Sequence, residues 1–173
     1  RLLELVRAYN LVVIEDAAHA LGAEYRGRPV GGLAALTTWS FHPVKHVTTG
    51  EGGAITTNDP ALAERAARFR NHGISSDAMD RFRSGEWYYE MVDLGFNYRL
   101  TDLQCALGLS QLRKLDRFLA RREAIAARYR DALSRVPGVT LQAVEPHIRH
   151  GWHLFPIMLD LESVSHIHER GGS

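Results

Sequence analysis

The sequence predicts an α/β fold, and three features carry that expectation. Short apolar runs alternate with segments of helical period, the pattern of strands interleaved with helices. The first run, residues 11–14, leads straight into two carboxylates, Glu15 and Asp16. Gly and Pro punctuate the joins between runs, at Gly27, Pro29, Pro60, Gly73, Pro137 and Gly138. The 173 residues are enough for one ordinary domain with a real core.

Taken in order, Leu2, Leu3, Leu5, Val6 and Tyr9 have the spacing of a short amphipathic helix. Residues 11–14 are a compact apolar run of the kind that a parallel sheet buries on both faces. Glu15 and Asp16 then fall at the strand's carboxyl end, the edge where open α/β sheets gather ligands. Residues 25–32 read as a turn between short extended pieces. Residues 37–41 form a second strand, residues 42–53 a loop, and residues 53–57 a third strand. Asp59 can cap a helix whose first position suits Pro60, and Gly73 marks its stop. Residues 74–90 have no clear period and are expected to be irregular. Thr101 and Asp102 open a helix bearing Leu103, Leu107 and Leu112. A longer helix, from about Asp116 to Val136, carries Phe118, Ile125, Tyr129, Leu133 and Val136 on one face and ends at Pro137 and Gly138. Residues 152–161 are apolar enough for a strand of a second, smaller unit.

Composition narrows the function classes. Hydrophobic residues at 45% and charged residues at 24% fit a soluble globular chain. No run is long and apolar enough to cross a membrane, and no signal peptide is visible. A net charge of +1 points away from nucleic acid. Cys105 is the single cysteine, which excludes an internal disulfide and fits a reducing cytoplasm. The chain starts at Arg1 and stops at Ser173 without a clear closing element, so it is expected to be a piece of something larger.

Three residues suggest chemistry together. Asp16 and Lys45 each follow a strand, where one sheet edge could hold both, and Ser40 lies at the end of the second strand. A loop lysine supplies the amine that an aldehyde cofactor needs for a Schiff base. A carboxylate can keep a ring nitrogen protonated so that the ring accepts electrons, and a hydroxyl can donate to a phosphate. Glu15 and Asp16 face opposite ways on a strand, which argues against a paired-carboxylate hydrolase. Gly50, Gly52 and Gly53 do not fit the P-loop pattern and read as turn geometry. His147, His150 and His153 read as surface histidines of a loop rather than a metal site, because Pro146, Gly151 and Trp152 oppose a helix there. His42 and His46 flank Lys45 and read as residues that tune or shape the site. The arginines of residues 113–135 are interleaved with Asp116, Glu123 and Asp131, as on a solvated helix face.

Glu15-Asp16-Ala17-Ala18-His19, then Ser40-Phe41-His42-Pro43-Val44-Lys45, resembles the cofactor core of the DegT/StrS sugar aminotransferases. Thr49-Gly50-Glu51-Gly52-Gly53-Ala54, Arg70-Asn71-His72-Gly73 and Leu94-Gly95-Phe96-Asn97-Tyr98-Arg99-Leu100-Thr101 follow in the family's order, so the similarity runs over roughly residues 1–162. His-Pro-Val-Lys, with Trp87-Tyr88-Tyr89-Glu90 further on, is most similar to the branch serving pseudaminic acid synthesis.

The resemblance implies pyridoxal 5'-phosphate as cofactor. It implies Lys45 as the catalytic lysine that carries it, Asp16 at the pyridine nitrogen, His19 beside the ring and Ser40 at the phosphate. Asn97 is expected to reach the phosphate held by a second subunit, making the enzyme a homodimer. The implied substrates are a nucleotide-linked keto sugar and an amino-acid donor, glutamate. The implied architecture is part of the large domain of a fold-type I transferase over residues 1–136, with the start of a small domain over residues 137–173. Lys45 argues against the related dehydratases, which carry His there. The rival from another class is a non-catalytic dimerisation or regulatory module.

Overall fold

The computed structural model describes residues 2–75, 78–85 and 87–162. Helix α1 (Leu2–Ala8) leads to strand β1 (Ile14–Asp16), then to the small hairpin of β2 (Glu24–Tyr25) and β3 (Arg28–Pro29). Strand β4 (Leu36–Ser40) and strand β5 (Gly53–Thr56) follow, then helices α2 (Pro60–Arg70), α3 (Ala78–Ser84), α4 (Asp102–Leu112) and α5 (Leu115–Leu133). Strands β6 (Val139–Leu141), β7 (Ile148–Arg149) and β8 (Ile157–Leu159) complete the described chain.

The main sheet has the order β1-β4-β5. Strands β1 and β4 are parallel, with Ile14 opposite Leu36 and Asp16 opposite Thr38. Strand β5 returns antiparallel to β4, pairing Ser40 with Gly53. The chain therefore leaves the carboxyl end of β4, makes a loop at that edge and re-enters beside it. The hairpin pairs with β7, Glu24 opposite Arg149, and the Arg149 guanidinium donates to Glu24 at 2.8 Å. Strands β6 and β8 form a separate antiparallel pair.

Local chemistry explains the helix starts. Asp59 Oδ1 accepts from the N–H groups of Ala61 and Leu62, with Pro60 at the first helical position of α2. Thr101 and Gln104 form a reciprocal capping box at the start of α4. Helix α5 buries Leu119 and Ala126, and Leu119 lies against Gly22 of the segment after β1. A side chain at Gly22 would collide with Leu119 Cδ1 at 2.3 Å, so glycine is what lets that segment lie on α5.

The structure corrects three sequence expectations. Leu11 and Val12 are exposed and outside the strand, which is Ile14–Asp16, because no described element covers that face of β1. Residues 74–90 contain the helix α3, where the Arg81 guanidinium sits 4.3 Å over the Tyr89 ring. Of residues 152–161, only Ile157–Leu159 is strand, and Trp152 instead turns at φ 50° into the core against α5.

Candidate active site

The carboxyl edge of the parallel pair carries the first two candidate residues. Asp16 ends β1 and lies opposite Thr38, so Asp16, Thr38 and Ser40 fall on the same face of the sheet. Glu15 and Thr37 fall on the other face, where the Thr37 hydroxyl donates to Glu15 Oε2 at 3.1 Å. The two adjacent carboxylates thus do different things. Glu15 is tied down within the sheet, and Asp16 is exposed at the edge, its Oδ1 accepting from the Ala18 N–H at 3.0 Å. Ser40 Oγ accepts from the His42 N–H at 3.4 Å, where the chain turns out of the strand.

Lys45 sits on a loop that is pinned along its length. The Lys45 N–H donates to the His42 carbonyl at 3.0 Å. The Phe41 carbonyl then accepts from both the Thr49 N–H and the Thr48 hydroxyl, each at 3.0 Å. Gln104, from α4, donates to the Glu51 carbonyl at 2.9 Å. Val47, His46 and Thr49 are buried at 1%, 4% and 5% exposure, and they anchor the loop while Lys45 stays half-buried at its rim. Gly50 and Gly52 take φ of 80° and 150°, as their reading as turn residues requires. A Cβ at Gly108 would meet Thr49 Cγ2 at 2.9 Å, so α4 packs against the loop through a glycine.

His46 does not face the site as expected from its place beside Lys45. It is buried, and its Nε2–H donates to the Gly151 carbonyl at 2.7 Å, 105 residues away in sequence. That contact delivers a residue the sequence did not single out for the site. The ring of His153 lies 4.4 Å from that of His19 and 5.2 Å from that of His46. Burial pushes the His153 imidazole down to about 4, and the neighbouring His19, His46, Lys45 and Arg122 push the same way. Burial also lowers His46, outweighing its bond to Gly151. His150 is lowered by burial as well, against the opposing pull of Glu123. The expectation of surface histidines therefore holds for His147, which is exposed, and fails for His150 and His153. Nothing in the local pattern of residues 150–153 signals this, because the contact partners are remote in sequence.

Asn97 occupies a separate place. It is exposed and bridged to Asn71, just past the end of α2. Its loop is held by backbone bonds on both sides, from Phe96 N–H to the Phe69 carbonyl at 2.8 Å and from Tyr98 N–H to the Arg70 carbonyl at 2.9 Å. The structure thus groups Asp16 and Ser40 on one sheet edge, sets Lys45 on the loop leaving that edge and brings the ring of His19 against that of His153 at a tilt of 50°. It leaves Asn97 on another loop.

These residues fit pyridoxal phosphate in donor chemistry. One edge offers an amine, a carboxylate on an exposed strand end and a half-buried hydroxyl, the groups that an aldehyde, a pyridine nitrogen and a phosphate call for. Among the described residues, no group of three His, Cys, Asp or Glu side chains is arranged to hold a metal ion.

Comparison with known proteins gives the same direction. Over 155 residues the chain is 41% identical to the UDP-4-amino-4,6-dideoxy-N-acetyl-beta-L-altrosamine transaminase of Campylobacter jejuni, covering 90% of this chain and 39% of that protein. Helicobacter pylori PseC, an aminotransferase involved in the biosynthesis of pseudoaminic acid, superposes with a TM-score of 0.83 at 34% identity, over 97% of this chain and 45% of that one. Spr1654 from Streptococcus pneumoniae, described as a sugar aminotransferase and solved in its PLP form, superposes with a TM-score of 0.77 at 30% identity, over 90% of this chain and 39% of that one. The chain spans about two fifths of the length of the curated relatives it matches. Its α/β architecture is part of the fold-type I arrangement of pyridoxal-phosphate enzymes. Residues 1–171 match the model of the DegT/DnrJ/EryC1/StrS aminotransferase family, and the chain belongs to that family.

Proposed function

We propose that this chain is the cofactor-carrying part of a pyridoxal-phosphate-dependent aminotransferase. It would move an amino group from glutamate to the 4-keto group of a UDP-linked 6-deoxy-N-acetyl sugar, in the cytoplasm and as a homodimer. The observation that carries the reading is the shared sheet edge, with Asp16 and Ser40 on one face and Lys45 on the pinned loop that leaves it. The choice of sugar rests on the relatives, whose names include a UDP-4-amino-4,6-dideoxy-N-acetyl sugar transaminase.

When bound, pyridoxal phosphate supplies an aldehyde carbon that can carry nitrogen between substrates and a ring that accepts electrons. The protein's own groups do the rest. The Lys45 amine holds the cofactor's aldehyde carbon and then takes and returns protons beside it. The Asp16 carboxylate keeps a proton on the ring nitrogen, and a charge there sustains the electron sink in a way a neutral amide does not. The Ser40 hydroxyl donates to the phosphate. His19 flanks the ring.

Borohydride reduction of the cofactor-loaded, full-length protein followed by peptide mapping tests the central assignment. The cofactor is expected on Lys45. Lys114 is the only other lysine of the chain, and label there would overturn the reading.

A further inference from the structure

The segment 150–153 is fastened from two directions. On one side, the Arg122 guanidinium of α5 donates to the Trp152 carbonyl at 3.0 Å and to the His153 carbonyl at 3.4 Å. The Trp152 indole N–H donates to the Glu123 carboxylate, and the Trp152 backbone N–H donates to His150 Nδ1 at 2.8 Å. On the other side, buried His46 donates to the Gly151 carbonyl at 2.7 Å. These bonds hold Trp152 at a φ of 50°, a conformation that a bulky residue adopts only when its surroundings enforce it. The outcome of this fastening is the place of the next side chain, His153. Its ring sits between those of His19 and His46, with its Nδ1 buried and without a hydrogen-bond partner.

We infer that His153 is a positioning residue of the Lys45 edge: its ring, wedged between His19 and His46 and clamped from α5, keeps His19 and the Lys45 amine in register with the cofactor. This rests on the reading of Lys45 as the cofactor lysine. The groups that face His153 from the elements packed on it are His19 after β1, Lys45 and His46 on the loop after β4, and Arg122 on α5. All of them are cationic or able to become so. A proton on His153 would therefore add charge to a cluster with no anion among these neighbours, and the wedge would push its partners apart. The low value of His153, about 4, fits a ring kept uncharged through the physiological range.

The test uses the full-length protein and reads cofactor absorbance as a function of cofactor concentration and pH, beside thermal unfolding of the cofactor-free form. His153→Ala removes the wedge, and cofactor affinity at pH 7.5 is expected to fall by about tenfold, with a displaced absorption band. His153→Phe restores a ring that cannot take a charge. Its affinity at pH 7.5 should return to near the parent's, and the pH at which half the absorbance is lost on acidification should drop by about one unit. A Phe profile that superimposes on the parent's would overturn the inference, as would unchanged affinity in the Ala variant, since packing alone predicts recovery by Phe without any change in pH profile. If His153→Phe does not unfold cooperatively, His153→Gln, also uncharged, must show the same downward shift, and its absence overturns the inference equally. Failure of the underlying reading looks different: the parent itself would lack the absorbance, or borohydride would fix the cofactor at Lys114.

Discussion

Asp16 and Glu15 are chemically the same group one residue apart, and the pleat of a three-residue strand separates their work. Asp16→Asn in the full-length enzyme is expected to lower kcat by on the order of a hundredfold, since on the proposed reading it removes the charge that keeps the cofactor's ring nitrogen protonated. Glu15→Gln should stay within a few-fold of the parent, because an amide oxygen can still accept from the Thr37 hydroxyl. Steady-state kinetics on the two variants, with circular dichroism to confirm folding, checks the contrast; equal losses would remove the special role of Asp16. The histidines add a pH dependence of known sign. A His whose folded-state value is lowered, as for His153, to about 4 from 6.5, binds fewer protons when folded than when unfolded. Its contribution to stability is complete above the unfolded value and is lost as pH falls from 6.5 toward 4. His46 and His150 are lowered in the same direction, so the unfolding midpoint of the cofactor-free protein should fall steeply over that window, and less steeply in His153→Phe. The places of Asp16, Ser40 and Lys45 at strand ends and on the loop after β4 were legible because local pattern sets them. The packing of His153 was not, because it depends on a bond from His46 to Gly151 that spans 105 residues.

At the scale of elements, what could be read from sequence was what local hydrogen bonding decides. The caps at Asp59 and Thr101, the glycine stop after α2 and the turn between β2 and β3 all satisfy backbone groups within a few residues. Burial and strand partners depend on remote segments. The apolar run of residues 11–14 therefore suggested a buried strand, whereas Leu11 and Val12 are exposed, and the pairing of β2 with β7 had no local signature. Gly73 belongs to both classes. It was read as a helix stop, and its N–H does accept that duty by donating to the Arg68 carbonyl at 2.8 Å. The structure adds a second reason: a Cβ there would come within 1.9 Å of the Asp93 carbonyl oxygen, on the stretch that leads to Asn97. Gly85 has a similar φ, 73° against 67°, but open space around it. Gly85→Ala should therefore cost only the left-handed backbone term, about 1 kcal/mol. Gly73→Ala should cost more than twice that, roughly 3 kcal/mol, as the two backbones are forced apart. Denaturant unfolding of the two full-length variants measures the difference, and equal losses would show that the close approach carries no weight.

At the scale of the whole molecule, large apolar side chains stand exposed on the Asn97 loop and α4, as they do on α1 and before β1. Trp87 and Leu103 are each 85% exposed, and Met91, Leu94 and Tyr98 are exposed nearby in sequence. Isolated exposed apolar residues are ordinary, but a run of them fits a surface that further protein covers, more of this polypeptide or another chain. We propose a second copy as the cover of the Asn97 loop, with Asn97 completing the partner's site, and the consequence is reciprocal because a two-fold interface exchanges the same residues both ways. Complementation between two inactive full-length variants tests it. In a mixed dimer of a Lys45→Ala chain and an Asn97→Ala chain, one site receives its own missing lysine and the partner's missing asparagine, and so carries both defects. The other site has its own Lys45 and the partner's intact Asn97, and so carries neither. Equal amounts of the two chains, unfolded and refolded together, give mixed dimers in half of the population with one good site of two, or about a quarter of parental activity. Each variant refolded alone should stay inactive. Sites built within single chains would instead leave the mixture as inactive as its components, and purified mixed dimers without activity would exclude the shared site directly.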